Sequence, residues 1–436
     1  MLTKNEIYEV KIENYGCNGE GIGRIDGFPV FIEGALRGEQ VKFLAVKVLK
    51  SFAYGKLLEV LTPSPKRVAV SCPVFKRCGG CQLLHMDYHE QLALKKEIVE
   101  DCMRKFSGLS DFSVAEVSGV KEEAFHYRNK AQYPVKDGKC GFYAERSHDL
   151  IPVRSCLMQN EKDEELIKIM EEYPYQNEIK HLYTRYGENE QMAVVVTKVK
   201  KLKDEKFLIE KFKQAGVDTL VQNINLKDTN VILGQENRIL YGKGTIEGKI
   251  GNLKFEVSPH SFFQINSKQT ARLYQKGKDL LELKGTEHLM DLYCGIGSIG
   301  LFMADKVKKV LGVECVPQAI ENAKENAKKN GIKNAEFVVG LSEDVFKEKM
   351  EQGTLPDVVV VDPPRKGCDQ KLLDTLLKYS PEKILYISCN PSTLARDLSV
   401  LSKSYNVGTI YPYDLFPNTK HIECIVRLCR NDDSSI

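Results

Sequence analysis

The sequence predicts an α/β protein in three parts: an N-terminal β-barrel, a mixed α+β central region and a C-terminal parallel sheet covered by helices. Three observations predict it. The first 60 residues alternate polar and apolar positions between glycine-rich turns, which is typical of short barrel strands. From about residue 285, apolar strands alternate with helical segments, the pattern of a parallel sheet. The length of 436 residues favours two or three domains.

Composition narrows the class of protein. Hydrophobic residues make up 42% and charged residues 28%, which is ordinary for a globular chain and argues against a disordered or fibrous one. No apolar run approaches the roughly 20 residues of a membrane helix, and the start MLTKNEIYEVKIEN lacks a signal peptide's apolar core. We therefore expect a cytoplasmic protein without a membrane partner. The net charge of +3 neither requires nor excludes a nucleic acid.

Residues 1–60 are predicted to form a five-stranded barrel of the oligonucleotide-binding kind, from strands within EIYEVKIENY and EQVKFLAVKVLKSFAYGKLLEVL. A purely structural β module is an equal alternative. The stretch TPSPKR is predicted to be a linker, because prolines discourage regular structure. We expect the central region to span residues 61–250 and the C-terminal domain residues 251–436.

Cysteine spacing suggests a metal centre. Cys72, Cys78 and Cys81 lie within SCPVFKRCGGCQLLH, and Cys156 follows in VRSCLMQN. Disulfides are not expected in the cytoplasm, so four such thiols could hold zinc or an iron–sulfur cluster. The spacing does not separate the two. A redox dithiol at CGGC is disfavoured, because no thioredoxin-like pattern follows it.

The segment DLYCGIGSIG follows an apolar strand and opens a helix, and Gly295, Gly297 and Gly300 fit the GxGxxG spacing of a Rossmann-like nucleotide site. Glu314 ends the next strand, where a carboxylate can accept hydrogen bonds from ribose hydroxyls. Asp291 before the loop favours S-adenosylmethionine over a dinucleotide. The methyl donor is a cation without a pyrophosphate, so it tolerates acidic neighbours.

Three further residues supply chemistry. Asp362 in DPPR ends the fourth strand of this domain, Cys389 in SCNP ends the fifth, and Glu423 in HIE is expected in the last strand, on the same side as His421. Methylation of uracil at C5 needs a thiolate that adds to C6, a methyl donor and a base that removes the C5 proton. Spacing alone favours a structural role for Glu423, and no histidine next to Cys389 in sequence would activate it.

Together these motifs closely resemble the RNA uracil-5-methyltransferase family. The resemblance runs from a TRAM-type barrel through the cysteine segment and SPHSFFQIN to DLYCGIG, DPPRKG, SCNP and HIE. The presence of both barrel and cysteines is most similar to the 23S ribosomal RNA branch. The resemblance implies an enzyme that methylates uridine C5 in 23S ribosomal RNA with S-adenosylmethionine.

The resemblance also implies roles for individual residues. It makes Cys389 the nucleophile and Glu423 the base. The cofactor would be bound by Gln264, Tyr293, Gly295, Gly297, Glu314 and Asp362, the pyrimidine by Phe262 and Asp362, and a [4Fe–4S] cluster by Cys72, Cys78, Cys81 and Cys156. One departure from the family is Ser298, where some relatives carry asparagine.

Alternatives remain at this point. The same reaction could act on the T-loop of transfer RNA, the chain could be an inactive RNA-binding module, or it could be a nicotinamide-dependent oxidoreductase. The basic, aromatic segment 125–133 is predicted to contact RNA, although an ordinary strand with solvated charges is an alternative. We expect a monomer.

Overall fold

A computed structural model describes residues 2–145 and 147–431. The sequence also predicts a frayed C-terminal tail, NDDSSI, which lies outside these residues apart from Asn431. The described helices are α1 (Tyr88–Phe106), α2 (Asp163–Glu172), α3 (Glu205–Gln214), α4 (Ser267–Leu281), α5 (Ser298–Met303), α6 (Pro317–Lys329), α7 (Ser342–Glu351), α8 (Gln370–Tyr379) and α9 (Pro391–Leu401).

The N-terminal strands close into a five-stranded barrel in the order β1-β2-β3-β5-β4, as the sequence predicts. They are β1 (Ile7–Tyr15), β2 (Gly21–Ile25), β3 (Phe28–Glu33), β4 (Gln40–Val48) and β5 (Ala53–Thr62). Alternate residues such as Ile12, Val30, Ile32 and Phe43 fill the interior. A closed barrel leaves no unpaired strand edge, so its outer face is free for other contacts.

Helix α1 joins the barrel to the C-terminal domain. It begins at Tyr88, where the Asp87 side chain accepts a hydrogen bond from the His89 backbone N–H at 3.0 Å. Its apolar face packs against α9, in one core with Tyr15 of the barrel. Lys95 on this helix forms a fully buried 2.6 Å ion pair with Asp414. The helix is thereby fixed to the segment that leads into the last long strand.

The central region is a seven-stranded mixed sheet in the order β12-β11-β10-β9-β6-β7-β8. Its strands are β6 (Lys130–Lys136), β7 (Lys139–Tyr143), β8 (Leu150–Pro152), β9 (Ile179–Tyr186), β10 (Gln191–Thr197), β11 (Thr219–Ile224) and β12 (Glu236–Tyr241). Helices α2 and α3 pack on one face. The opposite face shares a core with the hairpin of β13 (Ile246–Ile250) and β14 (Leu253–Val257).

The C-terminal sheet has the order β17-β16-β15-β18-β19-β22-β20, with β21 also paired to β22. Its strands are β15 (His288–Leu292), β16 (Lys309–Glu314), β17 (Ala335–Val339), β18 (Val358–Val361), β19 (Lys383–Ser388), β20 (Tyr405–Val407), β21 (Tyr411–Tyr413) and β22 (Glu423–Arg430). The five strands β17, β16, β15, β18 and β19 are parallel, and β22 is antiparallel to β19.

The strand order reverses between β15 and β18, so their carboxyl ends open a crevice where ligands of such sheets bind. The parallel sheet with helices on both faces confirms the predicted fold class. One detail differs from the prediction. Strand β22 begins at Glu423, and His421 lies before it. Strand alternation therefore does not place His421 beside Glu423.

Candidate active site

The loop after β15 has an unusual backbone. Tyr293, Gly295 and Gly297 all have positive φ angles, of 66°, 54° and 81°. For a tyrosine this conformation is uncommon and is often found at functional sites. A Cβ atom on Gly297 would lie 3.0 Å from the Phe337 ring, whereas one on Gly295 would meet nothing within 4 Å. The backbone at Gly295 therefore borders open space that a ligand can approach closely.

Glu314, the last residue of β16, is hydrogen-bonded to this loop. Its carboxylate accepts hydrogen bonds from the backbone N–H of Gly295 at 3.3 Å and of Val316 at 2.9 Å. These bonds fix the carboxylate at the carboxyl end of β16. The Cys315 thiol also donates to this carboxylate at 3.2 Å, so three of its roughly four acceptor sites are used and one remains for a ligand hydroxyl.

Asp291 is fully buried beneath the glycine loop. One carboxylate oxygen accepts a hydrogen bond from the Gly300 backbone N–H at 2.8 Å, and the other, Oδ1, has no partner. Burial raises the pKa of Asp291 to about 7, and the nearby charges of Asp362 and Glu314 add to the rise. A buried oxygen without a partner is costly, so this site fits a cationic or hydrogen-bond-donating ligand.

The β19–β22 register brings Cys389 and Glu423 together. Ser388, the last residue of β19, pairs with Cys424 in the antiparallel neighbour β22. Cys389, the residue that follows Ser388, therefore lies opposite Glu423. The pKa of Cys389 is raised to about 11, first by burial and then by the charges of Glu423 and Asp362, while Arg365 opposes the rise.

Glu423 is itself buried, with 4% of its surface exposed. Burial raises the pKa of Glu423 well above its usual value, the charge of Asp362 adds to this, and Arg365 opposes it. Burial also raises the pKa of Asp362 to about 7. A carboxyl group with a raised pKa is a better proton acceptor, which suits a general base.

Hydrogen bonds tie the DPPR and SCNP motifs together. The Asn390 side-chain N–H donates to the Arg365 carbonyl at 3.0 Å, and the Thr393 hydroxyl donates to the same carbonyl at 3.4 Å. Asn390 also caps α9 by accepting a hydrogen bond from the Ser392 backbone N–H at 3.1 Å. The loop after β18, which carries Asp362, is thus held at a fixed position relative to the loop that carries the cysteine.

The segment SPHSFFQIN connects the β13–β14 hairpin to α4. Asn129 holds it, donating from its side chain to the Gln264 carbonyl at 2.8 Å and from its backbone to the Ile265 carbonyl at 2.9 Å. Buried Arg185 donates to the Ser261 carbonyl in the same segment. Phe262 is 69% exposed, so its ring is free to stack on a planar ligand. Asn129, within segment 125–133, therefore holds the backbone of the predicted cofactor residue Gln264.

Sequence reasoning missed Tyr274. This α4 residue is buried, its hydroxyl lies 3.0 Å from the Ser298 hydroxyl, and its raised pKa reflects burial and then the charges of Asp362, Asp291 and Glu423. Its helical spacing looks like that of any core residue, so no local signal could reveal it. Ser298, noted above as a departure, therefore has a partner in this protein.

The four cysteines predicted as ligands are unpaired thiols with intermediate exposure. Burial raises the pKa of Cys81 to about 12, and charges on Cys156, Cys78 and Cys72 add to the rise. The four thiols are therefore close enough for their charges to influence one another. In residues 2–145 and 147–431, no set of three or more His, Cys, Asp or Glu side chains is arranged to hold a metal ion.

Residues 87–431 match the family described as tRNA (uracil-5-)-methyltransferase, and residues 2–58 match the TRAM domain. The chain belongs to the tRNA (uracil-5-)-methyltransferase family. One similar protein is an uncharacterized RNA methyltransferase from Clostridium tetani, which is 45% identical over 98% of this chain and 96% of that protein. Another, from Bacillus cereus, is 43% identical over 98% of both chains.

A solved structure of the family is also similar. The crystal structure of Pyrococcus abyssi tRNA (uracil-54, C5)-methyltransferase in complex with S-adenosyl-L-homocysteine is 26% identical, with a TM-score of 0.79. The match covers 97% of this chain and 100% of that one. Family membership confirms that this is an RNA methyltransferase of the uracil-5 class with a TRAM barrel. It leaves the nicotinamide-dependent alternative without support.

Among the described residues, no helix of this family member combines the length and the apolar character needed to cross a membrane.

Proposed function

We propose that this chain methylates C5 of a uridine in 23S ribosomal RNA, with Cys389 as nucleophile and Glu423 as base. The β19–β22 register is the single observation that carries the proposal, because it puts a thiol beside a buried carboxylate at the ligand-binding edge. The adjacent glycine loop provides the cofactor side of the same crevice.

The residues would act in the following order. The Cys389 thiolate bonds to C6 of the uracil, and the electron pair of the C5–C6 double bond moves to C5 and O4. S-Adenosylmethionine, when bound, supplies the methyl group that C5 takes up. Glu423 then removes the remaining C5 proton. The electrons of that C–H bond restore the double bond as the Cys389–C6 bond breaks, so the cysteine returns as a thiolate.

Cofactor binding follows from the charges of the crevice. The unpartnered Asp291 oxygen suits the cationic end of the methyl donor, and the fixed Glu314 carboxylate suits one of its ribose hydroxyls. Gly295 allows close approach of the ligand, while Gln264, Tyr293, Gly297 and Asp362 complete the set that we propose. Phe262 would stack on the pyrimidine, and Asp362 would contact both ligands.

We assign a [4Fe–4S] cluster to Cys72, Cys78, Cys81 and Cys156. The proposal rests on the cysteine spacing and on its resemblance to the family's cluster segment, because the four side chains are not arranged to hold a metal ion in the described part of the chain. Anaerobically purified protein should show broad visible absorption and bound iron with acid-labile sulfide. Cys78→Ser should lose both signals, whereas Cys429→Ser should keep them. Bound zinc without iron in the unaltered protein would overturn the assignment.

Transfer RNA is the second candidate substrate. The Pyrococcus abyssi protein, whose name gives uracil 54 of tRNA, matches nearly the whole chain, including the barrel. A TRAM barrel therefore does not by itself separate the two RNA classes. Labelled S-adenosylmethionine, offered with unmodified 23S ribosomal RNA and unmodified transfer RNA side by side, separates them when the labelled nucleotide is mapped by mass spectrometry. Label on transfer RNA alone would overturn the ribosomal assignment.

We also propose that the enzyme is a cytoplasmic monomer, which light scattering after size exclusion tests for the oligomeric state. An inactive RNA-binding module would instead bind cofactor and RNA without transferring a methyl group to either RNA.

A further inference from the structure

Three aromatic side chains meet on the outside of the barrel. Phe31 lies on β3, Tyr54 on β5, and Phe52 in the turn just before β5. The ring centroids are 5.5 Å apart for Phe31 and Phe52, 5.9 Å for Phe31 and Tyr54, and 5.4 Å for Phe52 and Tyr54. Each ring thus contacts both of the others, and together they make one aromatic patch.

The patch is not part of the barrel core. Val30 and Ile32 on either side of Phe31 point inward and are fully buried. Ala53, next to Tyr54, is also fully buried, whereas Tyr54 itself is 39% exposed. Strand alternation therefore directs these aromatic side chains away from the core and towards solvent. Rings in such a position are costly unless something covers them.

Two exposed lysines flank the patch on the β4–β5 side, and the Glu20 carboxylate lies near Phe31. Lys47 on β4 is the cross-strand partner of Tyr54. Lys50 lies in the turn between β4 and β5, two residues before Phe52, and both lysine side chains are exposed. Lys56 is also close, but it faces Glu33 across the β3–β5 pair, so we count only the first two as free to meet an anion.

The patch is connected to the active site through the loop after β1 and helix α1. A Cβ atom on Gly16 would lie 3.3 Å from the Phe31 ring, so the loop after β1 borders the patch. A Cβ atom on Gly19 in the same loop would lie 3.8 Å from Leu94 of α1, the helix that also carries Cys102. The Cys102 sulfur is in turn 3.3 Å from the hydroxyl of Ser392, in the first turn of α9.

That turn begins two residues after Cys389. Packed contacts therefore link the aromatic patch, through the loop after β1 and helix α1, to the helix turn next to the candidate nucleophile. Aromatic rings flanked by lysines are what proteins use to bind single-stranded nucleic acid, because every base has a face that can stack and every nucleotide has a phosphate.

We propose that Phe31, Phe52 and Tyr54 form a stacking platform for unpaired bases of the RNA strand next to the target uridine. The inference rests on the proposed function for the identity of that RNA. Lys47 and Lys50 would lie beside the phosphates. Because stacking reads no base edge, the platform should accept different bases and reject duplex RNA.

Fluorescence tests this directly, because the chain contains no tryptophan. Tyr54→Trp would carry a single indole within the platform, and Ile7→Trp is the matched control, since Ile7 is 54% exposed on β1. Binding of a 12-nucleotide oligouridylate or oligoadenylate should quench Tyr54→Trp and leave Ile7→Trp unchanged. A duplex RNA of equal length should quench neither variant. Equal quenching of both, or binding without quenching of Tyr54→Trp, would overturn the proposal.

Affinity gives a second test. The double variant Phe52→Ala with Tyr54→Ala should bind the same oligonucleotides about tenfold or more weakly, because each stacked base contributes appreciably. Ile7→Ala should bind as the unaltered protein does. An unchanged affinity in the double variant, with its circular dichroism intact, would overturn the platform.

The two proposals fail in different ways. If the unaltered protein transfers no methyl group but Tyr54→Trp is quenched as described, the proposed function fails and the platform stands. If methyl transfer proceeds but neither platform variant responds to RNA, the platform fails and the proposed function stands.

Discussion

The catalytic edge of the C-terminal sheet and the aromatic face of the barrel are both assigned to RNA, yet they are built in opposite ways. The catalytic edge gathers Asp291, Asp362 and Glu423 in a buried crevice, where burial raises the pKa of each carboxyl group. The barrel face instead exposes Tyr54 and its neighbouring rings beside lysines. Chemistry on one base requires costly buried charge, whereas holding a strand requires only accessible rings and cations.

Replacing the proposed nucleophile should abolish methyl transfer. Cys389→Ala removes the only group that we expect to activate C5, so methyl transfer should fall by more than about 1000-fold. Transfer of labelled methyl groups to RNA measures it. Cys429→Ala, which removes a half-buried cysteine from β22, should retain activity. Substantial turnover by Cys389→Ala would contradict the assignment.

Replacing the base should separate methyl transfer from release. In Glu423→Gln the C5 proton stays in place, so the RNA remains bonded to the cysteine. A protein–RNA band that survives denaturing electrophoresis should accumulate, and turnover should fall by about 100-fold or more. Glu382→Gln is the matched control, because Glu382 has a side chain that is 61% exposed. Free methylated RNA released at the normal rate would rule out the role of Glu423.

Replacing a residue of the proposed cofactor site should have a smaller effect. Asp291→Asn keeps the shape of the side chain but removes its charge, so the affinity for S-adenosylmethionine should fall about 10- to 100-fold, as expected for one charged hydrogen bond. Calorimetry measures the dissociation constant. Asp374→Asn, on the exposed face of α8, should bind normally. Equal affinities would show that the unpartnered Asp291 oxygen does not meet the cofactor.

The pH dependence of Cys389 alkylation tests how neighbouring charges affect the pKa of this thiol. Negative charge on Glu423 disfavours the thiolate, and positive charge on Arg365 favours it. Iodoacetamide labelling should therefore rise with pH towards a midpoint near the Cys389 pKa of about 11. Glu423→Gln should move that midpoint to lower pH, and Arg365→Gln should move it to higher pH. Mass spectrometry of the Cys389 peptide follows the reaction, and shifts of the opposite sign would contradict this account.

The smallest effect is expected at Tyr274. Tyr274→Phe removes one hydroxyl contact to Ser298, so the dissociation constant for S-adenosylmethionine should rise only a few-fold, in line with about 1 kcal/mol for a neutral hydrogen bond. Ser298→Ala should have a similar effect, and the two changes together should add little. Additive losses in the double variant would show that the two hydroxyls act independently.

Sequence patterns predicted the local elements well. The barrel strands and the parallel strands each leave a regular spacing of apolar residues, and the glycine loop leaves a motif. Patterns of this kind report which face of an element is buried, but not what covers it. The partners of Tyr274 and the buried pair of Lys95 with Asp414 come from distant parts of the chain.

The candidate site shows the same limit. Strand alternation suggested that His421 and Glu423 share a face, but β22 begins only at Glu423, because the chain before it turns through the Phe416–Thr419 segment. The Cys389–Glu423 proximity depends on the register between β19 and β22, which is set by tertiary packing. The aromatic patch also requires three rings from different elements to meet.

The most direct test of the central claim is mass spectrometry of the complex formed by Glu423→Gln with S-adenosylmethionine and unmodified 23S ribosomal RNA. After digestion with nuclease and protease, the account predicts a peptide in which the Cys389 sulfur is bonded to one uridine that carries the new methyl group. A nucleotide on any other residue, or no adduct when cofactor and RNA are both shown to be bound, would contradict it.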